Sequence, residues 1–276
     1  MTIQEFENHA IELLDEISDN SRFEAEQLIQ FALGISKNEL LVRRKDILSA
    51  DVLSSLESLL SRRLEREPLQ YICGEWEFFG LRIFCGKGCL IPRPETEMLS
   101  EYAIKHIPQG GSFLDICTGS GCISVSILKN RPDVTAVAVD ISENALEYAL
   151  KNAEHHGVAD RIKFVCMDMA EYIPDKSVDM ILSNPPYIKT EDMETLSPEV
   201  RREPHIALDG GTDELDFYKI ICDKYSKYLN KKGKTVLEVG YDIAEDVKDM
   251  FVSNNFKAII VNDIFGVKRM CVAENV

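Results

Sequence analysis

The stretch Ser183-Asn184-Pro185-Pro186-Tyr187-Ile188 gathers hydrogen-bond acceptors and withholds donors. Two consecutive prolines fix the backbone and remove two N–H groups. The carbonyls of Asn184 and Pro185 are thereby left as acceptors, and the Asn184 side chain adds another oxygen. Tyr187 contributes a flat aromatic face. Together Asn184, Pro185, Pro186 and Tyr187 can accept both hydrogens of a planar –NH2 group and present its nitrogen to an electrophile. Such a nitrogen, in an amide or an aryl amine, is a poor nucleophile because its lone pair is delocalised. Hydrogen bonds to its protons localise that lone pair, and positioning supplies the rest of the acceleration. Charge developing on the nitrogen is met by the same acceptors and the ring face. The electrophile this chemistry calls for is the methyl sulfonium of S-adenosylmethionine. No titrating catalytic group stands beside the motif in the sequence. The alternative is a Pro-Pro turn that merely ends a strand.

A second constellation is suited to a nucleoside. Asp115-Ile116-Cys117-Thr118-Gly119-Ser120-Gly121 carries small residues where a strand gives way to a helix. There the backbone can approach a ligand and helix N–H groups are free. Glycine in such a turn often serves packing alone. Asp140 lies about twenty residues further on, where a carboxylate can accept both hydroxyls of a ribose, although Asp140 and Ser142 are also rival N-caps for the helix that follows. The turn and Asp140 by themselves admit NAD, FAD or S-adenosylmethionine. Asp168 can accept from an adenine amine with Met169 against the ring, or it is an ordinary loop carboxylate.

These groups must be held by the elements around them. From residue 112 onward, apolar strand patterns alternate with helical ones. Strands are expected at 113–116, 134–139, 162–165, 178–182, 235–239, 256–261 and 269–273, with helices at 121–130 and 142–156. This is the pattern of a parallel α/β sheet, whose ligands sit at the carboxyl ends of the strands. Residues 1–68 read as helices only. Thr2-x-x-Glu5, Ser21-x-x-Glu24 and Ser36-x-x-Glu39 have capping-box spacing. Ile3, Phe6, Ala10, Leu13 and Ile17 form one apolar stripe, and Leu53, Leu56, Leu60 and Leu64 another, with Pro68 closing the fourth helix. Residues 69–97 suggest two short strands about Gly80, then an extended run at 90–95 set by Pro92 and Pro94. The expected division is thus a helical domain at 1–68, a hairpin and extended linker at 69–97, and an α/β domain at 98–276.

Composition narrows the function classes. The chain has 276 residues, with 31 Lys and Arg against 47 Asp and Glu, for a net charge of −16. That balance argues against general binding of long duplex nucleic acid, where phosphate contacts dominate affinity. The basic clusters Arg43-Arg44-Lys45 and Arg62-Arg63-x-x-Arg66 read as solvated helix faces or a protein-docking patch. No apolar run approaches the ~20 residues that span a bilayer. The acidic start Met1-Thr2-Ile3-Gln4-Glu5 lacks a signal-peptide pattern, so a cytoplasmic protein is expected. Cys117, Cys166 and Cys271 fall in apparent strands, as buried thiols do. Cys85 and Cys89 lack further ligands at zinc spacing, so no metal is expected.

The chain resembles the release factor glutamine methyltransferases, the PrmC/HemK family, over nearly its whole length. The resemblance rests on Pro68 to Gly74, on Leu90-Ile91-Pro92-Arg93-Pro94-Glu95-Thr96-Glu97, on Thr118 to Ile123 and on Val139 to Ser142. It continues through Ser183 to Ile188 and Glu203-Pro204-x-x-Ala207-Leu208-x-Gly210-Gly211. Asn-Pro-Pro-Tyr is shared with other amine methyltransferases, whereas Ile-Pro-Arg-Pro-Glu-Thr-Glu is far more specific. The resemblance implies a class I S-adenosylmethionine-dependent methyltransferase fold: Rossmann-like, with a mostly parallel seven-stranded sheet, a small all-α N-terminal domain and a β-hairpin linker. It implies methylation of the glutamine of a Gly-Gly-Gln motif in class I peptide-chain release factors, with S-adenosylhomocysteine as product; a monomer is expected. Cofactor contacts would fall on Cys117, Thr118, Gly119, Ser120, Gly121, Asp140, Asp168, Met169 and Asn184. Substrate contacts would fall on Asn184, Pro185, Pro186, Tyr187, Arg93 and Glu95. Cys117 stands where the family usually has glycine, so only its backbone is expected to meet the cofactor. Two alternatives compete: an adenine-amine methyltransferase acting on DNA or RNA, whose flipped base the same four residues would hold, and a module that docks on release factors without catalysis. The net charge and the absence of a target-recognition domain weigh against the first. The intact Asn184 and cofactor turn weigh against the second.

Overall fold

The computed structural model describes residues 1–275. The chain forms two units, one comprising Met1–Gly74 with Ser197–Arg202, the other Glu75–Leu196 with Glu203–Val276.

The first unit is helical: α1 (Ile3–Leu14), α2 (Ser21–Leu33), α3 (Lys37–Arg43), α4 (Ala50–Leu64) and α5 (Leu69–Cys73). Thr2 and Ser36 close reciprocal capping boxes with Glu5 and Glu39. Ser21 is not a cap. It is the first helical residue, Asn20 stands at the N-cap position, and the Ser21 hydroxyl donates to Asp15. The first stripe is likewise shorter than its periodicity suggests. Ile3, Phe6 and Ala10 are buried, but α1 stops at Leu14, which is buried in place of Leu13, and Ile17 lies past the helix. Pro68 precedes a further helix instead of ending the helical region, so helix runs five residues beyond the expected boundary at 68.

Arg43 and Lys45 are exposed as a solvated face would be, but the other guanidiniums of the two clusters are engaged. Arg63 is buried, with Nε and Nη2 on the two carboxylate oxygens of Glu24 at 2.7 and 3.1 Å and Nη1 on Glu199 at 3.0 Å. Arg62 holds Glu67 bidentately, Arg66 reaches Glu199 and the Ile17 carbonyl, and Arg44 pairs with Glu7 and Glu26. These guanidiniums tie the helices together, a use that helical periodicity alone does not reveal.

The second unit opens with the antiparallel hairpin β1 (Glu75–Phe78) and β2 (Leu81–Phe84). Arg93 is extended as the following proline dictates, but Pro94–Thr96 closes a 3₁₀ turn that leads into α6 (Glu97–His106). The main sheet holds β3 (Ser112–Ile116), β4 (Thr135–Asp140), β5 (Ile162–Cys166), β6 (Val178–Ser183), β9 (Leu229–Glu238), β10 (Phe256–Asn262) and β11 (Lys268–Asn275), in the order β10-β11-β9-β6-β3-β4-β5. Five of the pairing neighbours, β5, β4, β3, β6 and β9, run parallel, and β11 inserts antiparallel between β9 and β10. The central strands β3 and β6 read as continuous apolar runs because helices cover both faces. On one side α6, α7 (Cys122–Asn130) and α8 (Glu143–His155) enclose Phe113, Val125, Leu182 and Val236; on the other α9 (Asp216–Lys224) and α10 (Ala244–Ser253) enclose Leu114, Ile181, Tyr218 and Phe251. A small parallel pair, β7 (Ile188–Lys189) and β8 (Asp209–Gly211), follows the Asn-Pro-Pro-Tyr turn. It is the methyltransferase fold: a mixed seven-stranded sheet with sequence order reversing beside β3, which opens a crevice at the strand ends.

Cys166 is exposed, not buried, since β5 is the sheet edge and its last residue faces outward. No disulfide forms, and among the described residues no three His, Cys, Asp or Glu side chains converge to hold a metal ion. Among them, too, no helix is long and apolar enough to cross a membrane.

Candidate active site

A cavity of about 340 Å³ opens at the carboxyl ends of β3, β4, β5 and β6. The turn after β3 forms its floor. Cys117 takes φ = 59°, Gly119 56° and Gly121 73°. Nothing lies within 4 Å of where a Gly119 Cβ would stand, so the backbone there faces open space. Cys117 holds a left-handed backbone that costs a non-glycine residue about 1–2 kcal/mol. Its thiol turns to the Met169 sulfur at 3.7 Å, and burial pushes the thiol well above its usual pKa, so it stays neutral. Gly121 is set back from the cavity as the N-cap of α7, and an added Cβ there would meet Ala149.

The rivalry between Asp140 and Ser142 is resolved by geometry. Ser142 caps α8, accepting from Ala145 N at 3.2 Å. Asp140 instead accepts from Gly119 N at 2.8 Å and Ser142 N at 2.9 Å, so one carboxylate spans the β3 and β4 turns. Burial pushes its pKa up, against the pull of those N–H donors. Asp115 beneath the turn is fully buried and accepts from Ser124 and Thr118 hydroxyls at 2.6 and 2.7 Å. Burial dominates, and its carboxyl is pushed up to about 6. Asn152 on α8 donates to Ser120 O at 2.9 Å and brackets the Phe84 backbone, fastening β2 beside the turn. The Asp168 carboxylate closes a turn on Ala170 N at 2.7 Å with one oxygen. The Met169 carbonyl accepts from Tyr225 at 2.6 Å, which anchors the Met169 backbone beside the cavity.

Of the residues expected at the cofactor, Cys117, Thr118, Gly119, Ser120, Asp140, Asp168, Met169 and Asn184 all line this one cavity, and Gly121 does not. Of those expected at the substrate, Asn184, Pro186 and Arg93 line it, while Pro185, Tyr187 and Glu95 do not. Leu90, Ile91, Val139, Ile141, Phe217 and Ile220 make much of the remaining wall apolar. Arg93 and the backbone N–H of Ile91 both bind Glu203, a buried carboxylate from the Glu-Pro segment, so Pro204 and Ile206 are held across the cavity. Glu95 is exposed.

Asn184 is held from behind. Its Nδ2 donates to Thr96 Oγ1 at 3.1 Å, and Thr96 Oγ1 donates to Glu238 Oε2 at 2.5 Å. Tyr187 Oη stands 3.4 Å from the other Glu238 oxygen, and burial followed by that negative charge raises the Tyr187 pKa far above its usual range. A titratable carboxylate therefore does stand behind the motif, contrary to what the sequence suggested. Thr96 lies inside the Ile-Pro-Arg-Pro-Glu-Thr-Glu segment and Glu238 ends β9 in Leu237-Glu238-Val239-Gly240, a charged residue within an apolar strand. That misplaced charge was the available signal.

Residues 5–74 match the family model of the PrmC N-terminal domain, and residues 95–200 that of the methyltransferase small domain. A release factor glutamine methyltransferase of Geobacter sulfurreducens is 42% identical over 239 residues, 86% of this chain and 84% of the relative. One of Thermodesulfovibrio yellowstonii is 38% identical over 269 residues, 95% of each. The chain belongs to the release factor glutamine methyltransferase family. The family implies a methyl donor of the S-adenosylmethionine type. A crystal structure of a methyltransferase from Pyrococcus furiosus, 17% identical, shares the fold with a TM-score of 0.55 over 72% of this chain and 91% of that one. The cavity suits the family's donor on its own chemistry: an open glycine backbone, a bridging carboxylate and apolar walls are what a nucleoside joined to a thioether requires.

Proposed function

We propose that this protein methylates the side-chain amide nitrogen of the glutamine in the Gly-Gly-Gln motif of class I peptide-chain release factors, with S-adenosyl-L-methionine as donor. The observation that carries the reading is the Asn184–Thr96 hydrogen bond. Because Nδ2 donates to Thr96, the amide is turned with its NH2 toward Thr96, and Oδ1 is the acceptor it can offer a substrate. An acceptor at the end of β6, in a turn stripped of two donors by Pro185 and Pro186, selects an –NH2 group and rejects a second acceptor.

Bound S-adenosylmethionine supplies an electrophilic methyl group, and S-adenosylhomocysteine is its product. Asp140 would accept the ribose hydroxyls, the free oxygen of Asp168 would accept the adenine amine, and Met169 would pack on the ring. The backbone from Cys117 to Ser120 would hold the amino-acid part, with Gly121 supporting the turn from behind. Asn184 and the Pro186 backbone, which line the cavity, take the substrate's amide hydrogens and localise the lone pair on nitrogen, while Pro185 fixes the shape of the turn. Positive charge building there meets the same acceptors, and the displaced amide proton leaves to water. Tyr187 supports the turn, and Arg93 and Glu95 serve the substrate's approach. The helical unit grips the body of the release factor, away from the glutamine. We place the enzyme in the cytoplasm, as a monomer.

The test combines purified protein, labelled S-adenosylmethionine and a bacterial class I release factor, with the label mapped by mass spectrometry. One methyl on the Gly-Gly-Gln glutamine is expected. Label on adenines of added DNA or RNA, with none on the factor, would replace this reading with nucleic-acid amine methylation. Removing residues 1–68 should raise the Michaelis constant for intact factor while sparing cofactor binding, and an unchanged constant would refute the grip.

A further inference from the structure

Asn184 has two ends that geometry alone does not distinguish, an oxygen and an NH2 group, and only one suits the proposed substrate. The choice is made two bonds away. Thr96 is buried at the 3₁₀ turn before α6, and its hydroxyl has a single proton. Glu238 is buried at the end of β9, where Tyr218 Oη donates to its backbone carbonyl at 2.9 Å and fixes the strand end. As a carboxylate, Glu238 only accepts. The Thr96 proton then points to Glu238 Oε2, and the Thr96 lone pairs face Asn184, which must offer its NH2. The Asn184 oxygen is thereby left for the substrate. A protonated Glu238 can donate to Thr96 instead. Thr96 is then free to donate to Asn184, the amide turns over, and its NH2 confronts the substrate's NH2 with no acceptor between them.

We propose that Glu238, acting through Thr96, is a positioning residue that holds the Asn184 amide with its oxygen toward the substrate, and that it does so only as the carboxylate. This rests on the amide-methylation reading above and adds a proton-sensitive element to it.

The surroundings put the switch near neutrality. Burial pushes Glu238 up to about 7; the Thr96 hydroxyl lowers it, Glu95 on the 3₁₀ turn raises it, and Arg269 on β11 and the Tyr187 hydroxyl lower it. Tyr218 on α9 and Cys122 on α7 are raised chiefly by burial, with the Glu238 charge adding a smaller push. Both therefore stay neutral near pH 7, so Glu238 is the group in this cluster that titrates there.

The test compares the parent with Glu238→Gln, Thr96→Val and Thr96→Ser. Steady-state methylation of a release factor is followed between about pH 5.5 and about pH 9, with S-adenosylhomocysteine binding measured by calorimetry. In the parent, kcat should fall about tenfold per unit below roughly pH 7, as a single required carboxylate dictates. Glu238→Gln should lose that acid limb. Thr96→Val should lose about 10²-fold in kcat with no limb, the scale of a misplaced reacting group, while its cofactor affinity and its Michaelis constant for the factor stay near parental. Thr96→Ser, which keeps the hydroxyl, should retain both rate and limb. An acid limb surviving in Glu238→Gln overturns the proposal, as does Thr96→Val at the parental rate or Thr96→Ser failing as Thr96→Val does. If Glu238→Gln does not fold, the Thr96 pair decides alone. A parent that leaves the glutamine unmethylated refutes the amide reading itself, whereas an active parent with unaffected variants refutes only this proposal.

Discussion

Gly210 offers a test of how tightly the catalytic turn is built. It sits in β8, paired with β7 immediately after Tyr187. Its φ is not left-handed, so glycine is not needed for conformation. It is needed for space: a Cβ there would stand 2.7 Å from the Tyr187 Cα and 2.9 Å from the Pro186 carbonyl oxygen. Both are backbone atoms and cannot swing aside. Ordinary contact begins at 3.4 Å, so Gly210→Ala must displace one backbone by about 0.7 Å. Asn184 lies two residues before Pro186 in the same turn, and a 1 Å misplacement of reacting groups costs about 10²-fold. The expected result is a kcat lowered by about 10–10²-fold, with overpacking removing about 1–3 kcal/mol of stability. Affinity for S-adenosylhomocysteine should hold, because the β3 and β4 turns are elsewhere. Gly34→Ala is the control. Gly34 ends α2 at φ = 62° with nothing within 4 Å, so it should cost about 1 kcal/mol in stability with kcat unchanged. Methyl transfer to a release factor, calorimetric cofactor binding and urea unfolding report the three quantities. Gly210→Ala with parental kcat would refute the claim that the turn's position limits catalysis. Equal kcat losses in the two variants would trace the effect to stability alone.

Three further outcomes follow from the same geometry. Asp140→Ala removes the acceptor that bridges Gly119 N and Ser142 N, so cofactor affinity should fall at least tenfold by calorimetry while the thermal midpoint moves little; unchanged affinity would exclude Asp140 from the cofactor site. Arg63→Ala leaves Glu24 and Glu199 without their buried cation and should cost about 3–5 kcal/mol in urea unfolding, whereas a loss below about 1 kcal/mol would mean the pairs are screened as surface bridges are. Glu238, raised from 4.5 to about 7 by burial, contributes stability that is full below pH 4.5 and lost as pH rises through about 7; Glu238→Gln should therefore gain on the parent by on the order of 3 kcal/mol between pH 4.5 and pH 8, and a pH-independent difference would contradict the shift.

That the Cys117–Gly121 turn, Asp140 and the Asn-Pro-Pro-Tyr segment would stand at strand ends around one cavity was legible because each is a local pattern tied to one strand end. Strand–helix alternation fixed which ends those were. Contacts that close over long chain separations were not legible. Thr96 meets Glu238 across 142 residues, Ile91 meets Glu203 across 112, and Arg63 meets Glu199 across 136. No periodicity encodes those meetings. Arg63 therefore looked like surface, although it sits on the buried side of α4 with Leu56, Leu59 and Leu60. Thr96 was visible only as part of a specific motif whose purpose the neighbouring Arg93 and Glu95 seemed to explain. The short helices failed for a different reason: α5 has five residues, too few for an apolar stripe to declare itself.

The position of Glu238 also bears on why the amide, and not the protein, receives the methyl group. A carboxylate touching the transferred methyl would be a better nucleophile than a neutral amide and would be esterified first. Glu238 does not line the cavity; Thr96, which does, stands between it and Asn184. The hydroxyl passes on the direction of a hydrogen bond without passing on the negative charge. Asp140 and Asp168, the carboxylates that do line the cavity, belong to the β4 and β5 ends where the nucleoside is expected. On the proposed reading charge is divided by role: carboxylates for the cofactor's hydroxyls and amine, neutral oxygens for the reacting nitrogen. Replacing Asn184 by aspartate would break that division. Asn184→Asp keeps an acceptor at the same point yet should lose transfer, because an ionised oxygen beside the electrophile competes for the methyl and its partner at Thr96 no longer receives a proton. Intact-mass measurement of Asn184→Asp after incubation with S-adenosylmethionine separates the two accounts: methyl gained by the enzyme itself supports competition, and parental transfer to the factor would show that any acceptor at 184 suffices.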